Sequence, residues 1–269
     1  RLRNWRRGTK GFRQERDNLF VYSPLVLPFP YSRTARWLNR VVLRRALRRW
    51  MQATGFGRPI VWTFLPTPLV CDLLRELDPE LTIYYCIDDL ASSSPAAKRI
   101  SRSESRLFKE VDLVFVTSEK LRQRAAQVSE RVYLFPFGVS FERFEEIRQR
   151  ADGLPPELEQ LPRPIVGYVG GVHRWVDQDL LSAAAAALPQ ASFVLVGPLQ
   201  TDVSKLAALP NVHLLGARAH EHVPWYIKGF DVGIVPYRSS AYTDHVYPTK
   251  LNEYLAMGLP VVATDLPEV

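Results

Sequence analysis

Residues 247–265 read YPTKLNEYLAMGLPVVATD, which joins a helix start, one acidic side chain and a buried strand in a single unit. Pro248 suits a first helical position, where its missing N–H is an orphan in any case, and Gly258 suits the residue after the helix, where a left-handed backbone ends it. The spacing predicts a helix over 248–257. The amides of its first turn, around Thr249 and Lys250, have no partner inside the helix, so with the helix dipole they favour an anion in the loop before them. Glu253 lies one turn further in. A carboxylate there can accept from two adjacent hydroxyls, such as those of a ribose, while Lys250 and the amides hold phosphate. Alone, such a helix reads as a solvated surface element; the strand behind it gives the ligand reading its weight.

Outward from this stretch the chain alternates strand and helix. Strand 164–169 runs into Gly170 and Gly171, which let a backbone approach a phosphate closely, although Gly-Gly is equally a plain turn. Helix 177–188, strand 192–196 ending at Gly197, strand 212–215 ending at Gly216, helix 223–228 and strand 231–235 complete the second half. In the first half we expect strand 18–23, a helix over 33–54 capped by Ser32, and strands 60–63, 81–87, one from 111 or 113 to 117, and 132–135. Helices 69–77, 96–110 and 119–128 lie between those strands, and a capped helix over 140–150 follows. Such alternation implies an α/β protein with parallel sheets covered on both faces, where ligands gather beyond the carboxyl ends of the strands. The Pro, Glu and Gln-rich stretch 151–164 reads as a linker between domains 1–150 and 151–269.

Two strand ends stand out. Asp88 and Asp89 emerge from an apolar strand with no basic residue within several positions, as either a helix cap or turn or a functional pair. Ser118 follows the next strand and suits an N-cap.

A chain of 269 residues with 46% hydrophobic content can build two cores. No apolar run approaches the ~20 residues of a membrane span, and no signal-peptide pattern is present. Cys71 and Cys86 lack metal-ligand spacing and read as buried thiols of a reducing, cytoplasmic compartment. His213, His220 and His222 are scattered, and no metal is expected. The net charge of +7 points to an anionic partner. The excess lies in 1–16 and among the arginines from Arg33 to Arg49. In helix 33–54, Trp37, Leu38, Val41, Val42, Ala46, Leu47, Trp50 and Met51 recur at helical spacing between arginines. That helix could lie on an anionic membrane surface or cover a sheet with its arginines solvated. No helix-turn-helix, zinc-ligand or RNA-recognition signature accompanies the charge, so no nucleic acid is expected.

EYLAMGLPVVATDLPEV resembles the nucleotide-sugar-binding signature of GT-B glycosyltransferases, in particular group 1 or family 4, where two glutamates stand eight residues apart. The second falls on Glu253. The first falls on His245, with Asp244 adjacent as a substitute. Tyr-Pro-Thr-Lys before the Glu-Tyr pair is closer to bacterial polysaccharide-assembly transferases of the teichuronic acid or exopolysaccharide type, and the likeness covers roughly 59–269. The resemblance implies two Rossmann-like domains facing a cleft, and metal-independent, retaining transfer of a sugar. The donor, a nucleotide-diphosphate sugar, is a substrate and no cofactor is implied. The acceptor is a saccharide or lipid-linked saccharide at the inner face of the membrane. It assigns donor binding to Gly170, Gly171, Arg174, Gly197, Arg218, Asp244, His245, Tyr247, Pro248, Thr249, Lys250 and Glu253. Catalytic roles fall on Asp88, Asp89 and Lys250. Family members open with a strand and glycine-rich turn and close with a returning helix; neither is found, so the chain reads as truncated at both ends. A nucleotide-sugar epimerase of the same fold and a noncatalytic nucleotide-sugar-binding subunit remain alternatives.

Overall fold

The computed structural model describes residues 11–95, 97–151 and 153–269. The first ten residues of the basic stretch and the expected helix start at Ala96 lie outside the described residues. The chain forms two units. One takes the chain up to Cys86 with Ser93–Phe115 and Arg124–Tyr133; the other comprises Ile87–Ser92, Val116–Gln123 and Leu134–Val269.

In the first unit β1 (Gly11–Arg16) and β2 (Leu19–Ser23) form an antiparallel hairpin with Gly11 opposite Ser23. The strand expected at 18–23 is β2, and its antiparallel partner β1 is the element that was not expected. Asp17 and Asn18 supply the turn, a role their short polar side chains favour, and the charges of Arg13 and Glu15 hide the first arm in the sequence. Phe12 stacks on Tyr22 at 4.1 Å and on Trp50 at 5.4 Å.

The four-stranded sheet has the order β3 (Ile60–Thr63), β4 (Leu81–Cys86), β5 (Leu113–Val116), β6 (Val132–Leu134). β3 and β4 run parallel, Ile60 opposite Leu81. Helix α1 (Arg33–Thr54) starts at Ser32, whose hydroxyl accepts from Ala35 N–H at 3.4 Å, and ends at Gly55 with φ 65°. Its buried positions are Ala35, Asn39 and Leu43, and the Asn39 amide ties down Leu27 through both backbone groups at 2.8 and 3.1 Å. The arginines are not simply solvated. Arg36 pairs with Asp72 at 2.9 Å, and Arg40 and Arg44 approach Glu76 at 3.4 and 3.5 Å, all on α2 (Pro68–Leu77). Trp37, Leu38 and Val42 stay exposed.

Helix α3 (Ser101–Glu110) begins later than the periodicity predicts, after two 3-10 turns at Leu90–Ser93 and Ala97–Ile100. The second of those turns runs directly into the helix, a tightened start of the kind common at helix N-termini. Helix α4 (Glu119–Ala126) follows β5.

The second unit holds α5 (Phe141–Gln149), α6 (Pro156–Glu159), β7 (Ile165–Val169), α7 (Gln178–Ala187), β8 (Ser192–Val196), α8 (Ser204–Ala207), β9 (Val212–Gly216), α9 (Val223–Lys228), β10 (Val232–Val235), α10 (Thr249–Ala256) and β11 (Val261–Ala263). Its sheet is parallel throughout, in the order β11-β10-β7-β8-β9. The chain builds outward from β7 through β8 to β9, then returns to the other side of β7 with β10. Where strand order reverses, between β7 and β10, the following loops diverge and leave a crevice. The stretch read as a linker carries α6, whose Leu158 is buried in the core with Ile165, Tyr168, Leu195 and Ile227. Both cysteines are buried thiols outside any disulfide.

Candidate functional site

Helix α10 follows β10 and starts at that crevice. Pro248 is one residue earlier than expected, at the cap position and buried. Gly258 holds φ 79° beyond the helix, as its sequence position requires, and the Leu259 amide closes on Tyr254 O at 3.0 Å. The apolar side of α10 is fixed by Tyr254, fully buried, whose hydroxyl accepts from Val169 N–H at 2.9 Å. With that anchor, Lys250 and Glu253 face the ends of β7 and β8.

Gly170 and Gly197 lie against each other beyond those ends. A Cβ on Gly197 would stand 2.0 Å from Gly170 O, so only glycine lets the two loops approach. The Lys250 side chain lies over Gly170, where a Cβ would meet its Cε at 3.3 Å. Lys250 is 9% exposed as a residue, and its ammonium is held between two rings, 4.7 Å from the centroid of Tyr237 and 5.3 Å from that of Tyr168. Nζ also donates to the Tyr237 hydroxyl. Tyr237 lies just past β10 and Tyr168 in β7, so both sides of the switch point converge on one cation.

A cavity of about 240 Å³ is lined by Gly170, Gly197, Arg218, Thr249, Lys250 and Glu253 together with His220. A second, of about 160 Å³, shares His220, Thr249 and Glu253 and adds Gly138, Ser140 and Arg143. Six of the residues expected to bind donor therefore meet at one place. Burial pushes the Glu253 carboxyl above its ordinary value, while Lys250 and His220 pull it back. Arg218 spends its guanidinium locally, on Tyr226 Oη at 2.7 Å, Leu215 O at 2.6 Å and Glu157 at 3.0 Å.

Gly171, Arg174, Asp244, His245, Tyr247 and Pro248 do not line either cavity. His245 turns Nδ1 to Ala241 O at 2.8 Å, and its own carbonyl accepts the Ser118 hydroxyl at 3.0 Å. Ser118 also caps α4, accepting from Leu121 N–H at 3.3 Å. Asp244 is 3.9 Å from Lys120. Tyr247 donates to Asn252 at 3.1 Å, and Asn252 in turn to Phe137 O at 2.7 Å. Ser140, expected to cap α5, makes no capping hydrogen bond.

Asp88, Asp89 and Arg174 form a different group with Tyr242. Burial first, and the Asp88 charge second, push the Tyr242 phenol up to about 12, with Arg174 opposing. Asp88 itself is raised to about 6, by burial and then by Asp89. A carboxyl whose folded pKa exceeds its unfolded one holds its proton more tightly when folded. Stability from Asp88 is therefore intact below pH 3.8 and is lost as pH rises through about 6. Asp88→Asn is expected to raise Tm at pH 8, by on the order of 1–2 kcal/mol of stability, and to change little at pH 4. An equal gain at both pH values would remove this account.

Sequence reasoning missed Tyr237, Tyr168, Arg143 and the use of His220. Only proximity to a strand end could have flagged Tyr237; nothing flags Arg143. Among the described residues no group of His, Cys, Asp and Glu could hold a metal ion, and no helix is long and apolar enough to cross a membrane.

Residues 163–269 match the family model of the glycosyl transferases group 1. The chain is 34% identical over 223 residues to TuaH of Bacillus subtilis (strain 168), described as a teichuronic acid biosynthesis glycosyltransferase; the match takes in 77% of this chain and 55% of that protein. The chain thus spans about half the length of that relative. Among solved structures it is similar to the sucrose-phosphate synthase of Thermosynechococcus elongatus, with a TM-score of 0.70, 20% identity, and 95% of this chain and 68% of that one covered. It is also similar to the trehalose-6-phosphate synthase OtsA, with a TM-score of 0.66, 12% identity, and 94% and 73% covered. For HepE of Anabaena, solved with UDP and glucose, the TM-score is 0.61 at 17% identity, with 83% and 63% covered. The fold is that of the GT-B glycosyltransferases.

Proposed function

We propose that the protein moves a sugar from a nucleotide-diphosphate sugar to a hydroxyl of a saccharide or lipid-linked saccharide acceptor. The observation carrying this is the meeting of Gly170, Gly197, Lys250 and Glu253 around one cavity at the switch point of a parallel sheet. Glu253, which lines that cavity, would accept the ribose hydroxyls. The first-turn amides of α10 and the Lys250 ammonium face the diphosphate, whose departure is the hard step. Positive groups already in position stabilise charge that develops on a leaving group without reorganising at that moment. These side chains supply that charge from the protein itself, so the reaction is proposed to run without a metal and, following the family resemblance, with retention. Asp88 or Asp89 would orient the acceptor hydroxyl or steady positive charge at the sugar. HepE was solved with UDP and glucose, which favours a nucleotide-sugar donor here. The likeness to TuaH favours an acceptor from cell-surface polysaccharide assembly.

The test is a thermal-shift panel of UDP, GDP, ADP and dTDP sugars on the protein. At a concentration of 100 Kd a binder adds ~2.7 kcal/mol, which moves Tm by several degrees. A flat panel would overturn the reading.

Peripheral contact with an anionic membrane forms part of the same proposal. Its support is the exposed band of Trp37, Leu38 and Val42 on α1, beside the exposed Arg33, Arg45 and Arg49. Co-sedimentation with phosphatidylglycerol vesicles should fall in Trp37→Ser. Undiminished sedimentation would move the contact elsewhere.

A further inference from the structure

Within the first unit a cavity of about 530 Å³ is lined by Tyr31, Pro68 and four arginines, Arg36, Arg99, Arg102 and Arg106, over a buried floor of Cys71 and Ser103. Pro68 opens the helix that follows β3, and Arg102 and Arg106 lie in the first two turns of the helix that follows β4. The cavity therefore opens on the carboxyl-end side of both strands, the side on which open parallel sheets place ligands.

Its charges do not balance. Arg36 is paired with Asp72 at 2.9 Å, and Arg106 with Glu110 at 2.9 Å, a carboxylate that Arg75 also holds at 2.5 Å, so the surplus is at least two. Arg99 lies over the Tyr31 ring, its guanidinium carbon 5.1 Å from the centroid. Among the described residues neither Arg99 nor Arg102 forms an ion pair. Four guanidiniums around one concavity repel one another unless an anion comes between them. The surplus of two positive charges matches a phosphate monoester, which carries about −1.5 to −2 at pH 7; one carboxylate would leave a guanidinium uncompensated. The planar fork of Arg suits the paired oxygens of phosphate, and stacking on Tyr31 fixes the plane of one fork in advance.

We propose that this pocket binds a dianionic phosphate group of the acceptor, either a sugar phosphate or the diphosphate through which a saccharide is joined to its carrier. The word acceptor rests on the glycosyltransferase reading; the anion site does not.

The experiment measures inorganic pyrophosphate binding calorimetrically in Lys250→Ala, which weakens any competing site at the donor cavity. Saturable binding is expected, and Arg99→Ala with Arg102→Ala should weaken it about tenfold or more, the scale of lost charge-assisted hydrogen bonds. Both side chains are exposed, so the variants should fold. Competition by glucose 1-phosphate would assign the site to a soluble sugar phosphate, and competition by dihexanoyl phosphatidic acid to a lipid-linked phosphate; either supports the pocket. Pyrophosphate affinity unchanged by the arginine substitutions would overturn it, as would binding to anionic vesicles with no saturable pyrophosphate binding. UDP binding, measured with Lys250 intact, should be indifferent to Arg99 and Arg102. Its absence would sink the donor reading while leaving the pyrophosphate result standing.

Discussion

Lys250→Ala is expected to lower kcat/KM by about 10²–10³-fold, the scale on which a single preorganised charge-stabilising donor contributes to a reaction with a developing anion. The ammonium sits between the rings of Tyr168 and Tyr237 and against Gly170, so the fold has already met the cost of ordering a long flexible side chain. A lysine free on the surface would have to be immobilised during each turnover. Tyr237 is the positioning residue in this arrangement, because its hydroxyl accepts from Nζ. Tyr237→Phe keeps the ring and removes that acceptor, and should cost about tenfold in kcat/KM. In a Lys250→Ala background it should cost nothing more, since residues acting as a unit are not additive. UDP affinity should fall in both single variants while uridine affinity holds, which separates loss of a phosphate contact from general damage. Lys250→Arg should not restore activity: the space between the rings holds a compact ammonium on a straight stem, and a planar fork needs different geometry. Independent, additive losses at Tyr237 and Lys250 would refute the positioning role, and a rate unchanged in Lys250→Ala would remove the lysine from the mechanism.

The cavity beside Lys250 and Glu253 was legible because its parts are local. A glycine after an apolar strand, a proline ahead of a helix and a glycine behind it each fix a backbone feature within a few residues, and Gly170, Gly197 and Gly258 stand where those rules put them. The meeting of Glu253 with Gly170 followed from family resemblance, since periodicity alone says nothing about which strand ends are neighbours. What stayed hidden depends on contacts distant in sequence. Tyr237 precedes Lys250 by thirteen residues and would read as loop polarity in any scan. Arg218 was expected to bind the donor, yet its guanidinium is taken up by Glu157, sixty-one residues away, in a stretch composition marks only as linker. The hairpin of β1 was lost because Arg13 and Glu15 blur its alternation. The arginines of α1 looked like a solvated face, and only the acidic positions of α2 show that several are matched across helices.

Glu253→Ala is expected to weaken donor binding about 10²–10⁴-fold, the combined scale of two hydrogen bonds to a charged group, with kcat at saturating donor changed far less. Loss of affinity without loss of rate marks an interaction present equally in ground and transition states. The donor itself offers a cross-check: a 2′-deoxyribonucleotide sugar should bind more weakly than its ribo counterpart to the native protein and equally well to Glu253→Ala. The Glu253→Gln variant separates function from folding by sign. Burial raises the Glu253 carboxyl above 4.5 in the empty protein, so near pH 7.5 its ionised form is held against a desolvation cost, and that cost disappears as pH falls toward and below 4.5. Removing the charge should therefore raise the Tm of the unliganded protein at pH 7.5, with the gain vanishing at low pH, while the Tm increase on adding donor shrinks. A carboxylate kept for packing or for a helix contact would lower the unliganded Tm when replaced and leave the donor response alone. Opposite signs in the two measurements are what a binding residue under desolvation must give, and matching signs would exclude it.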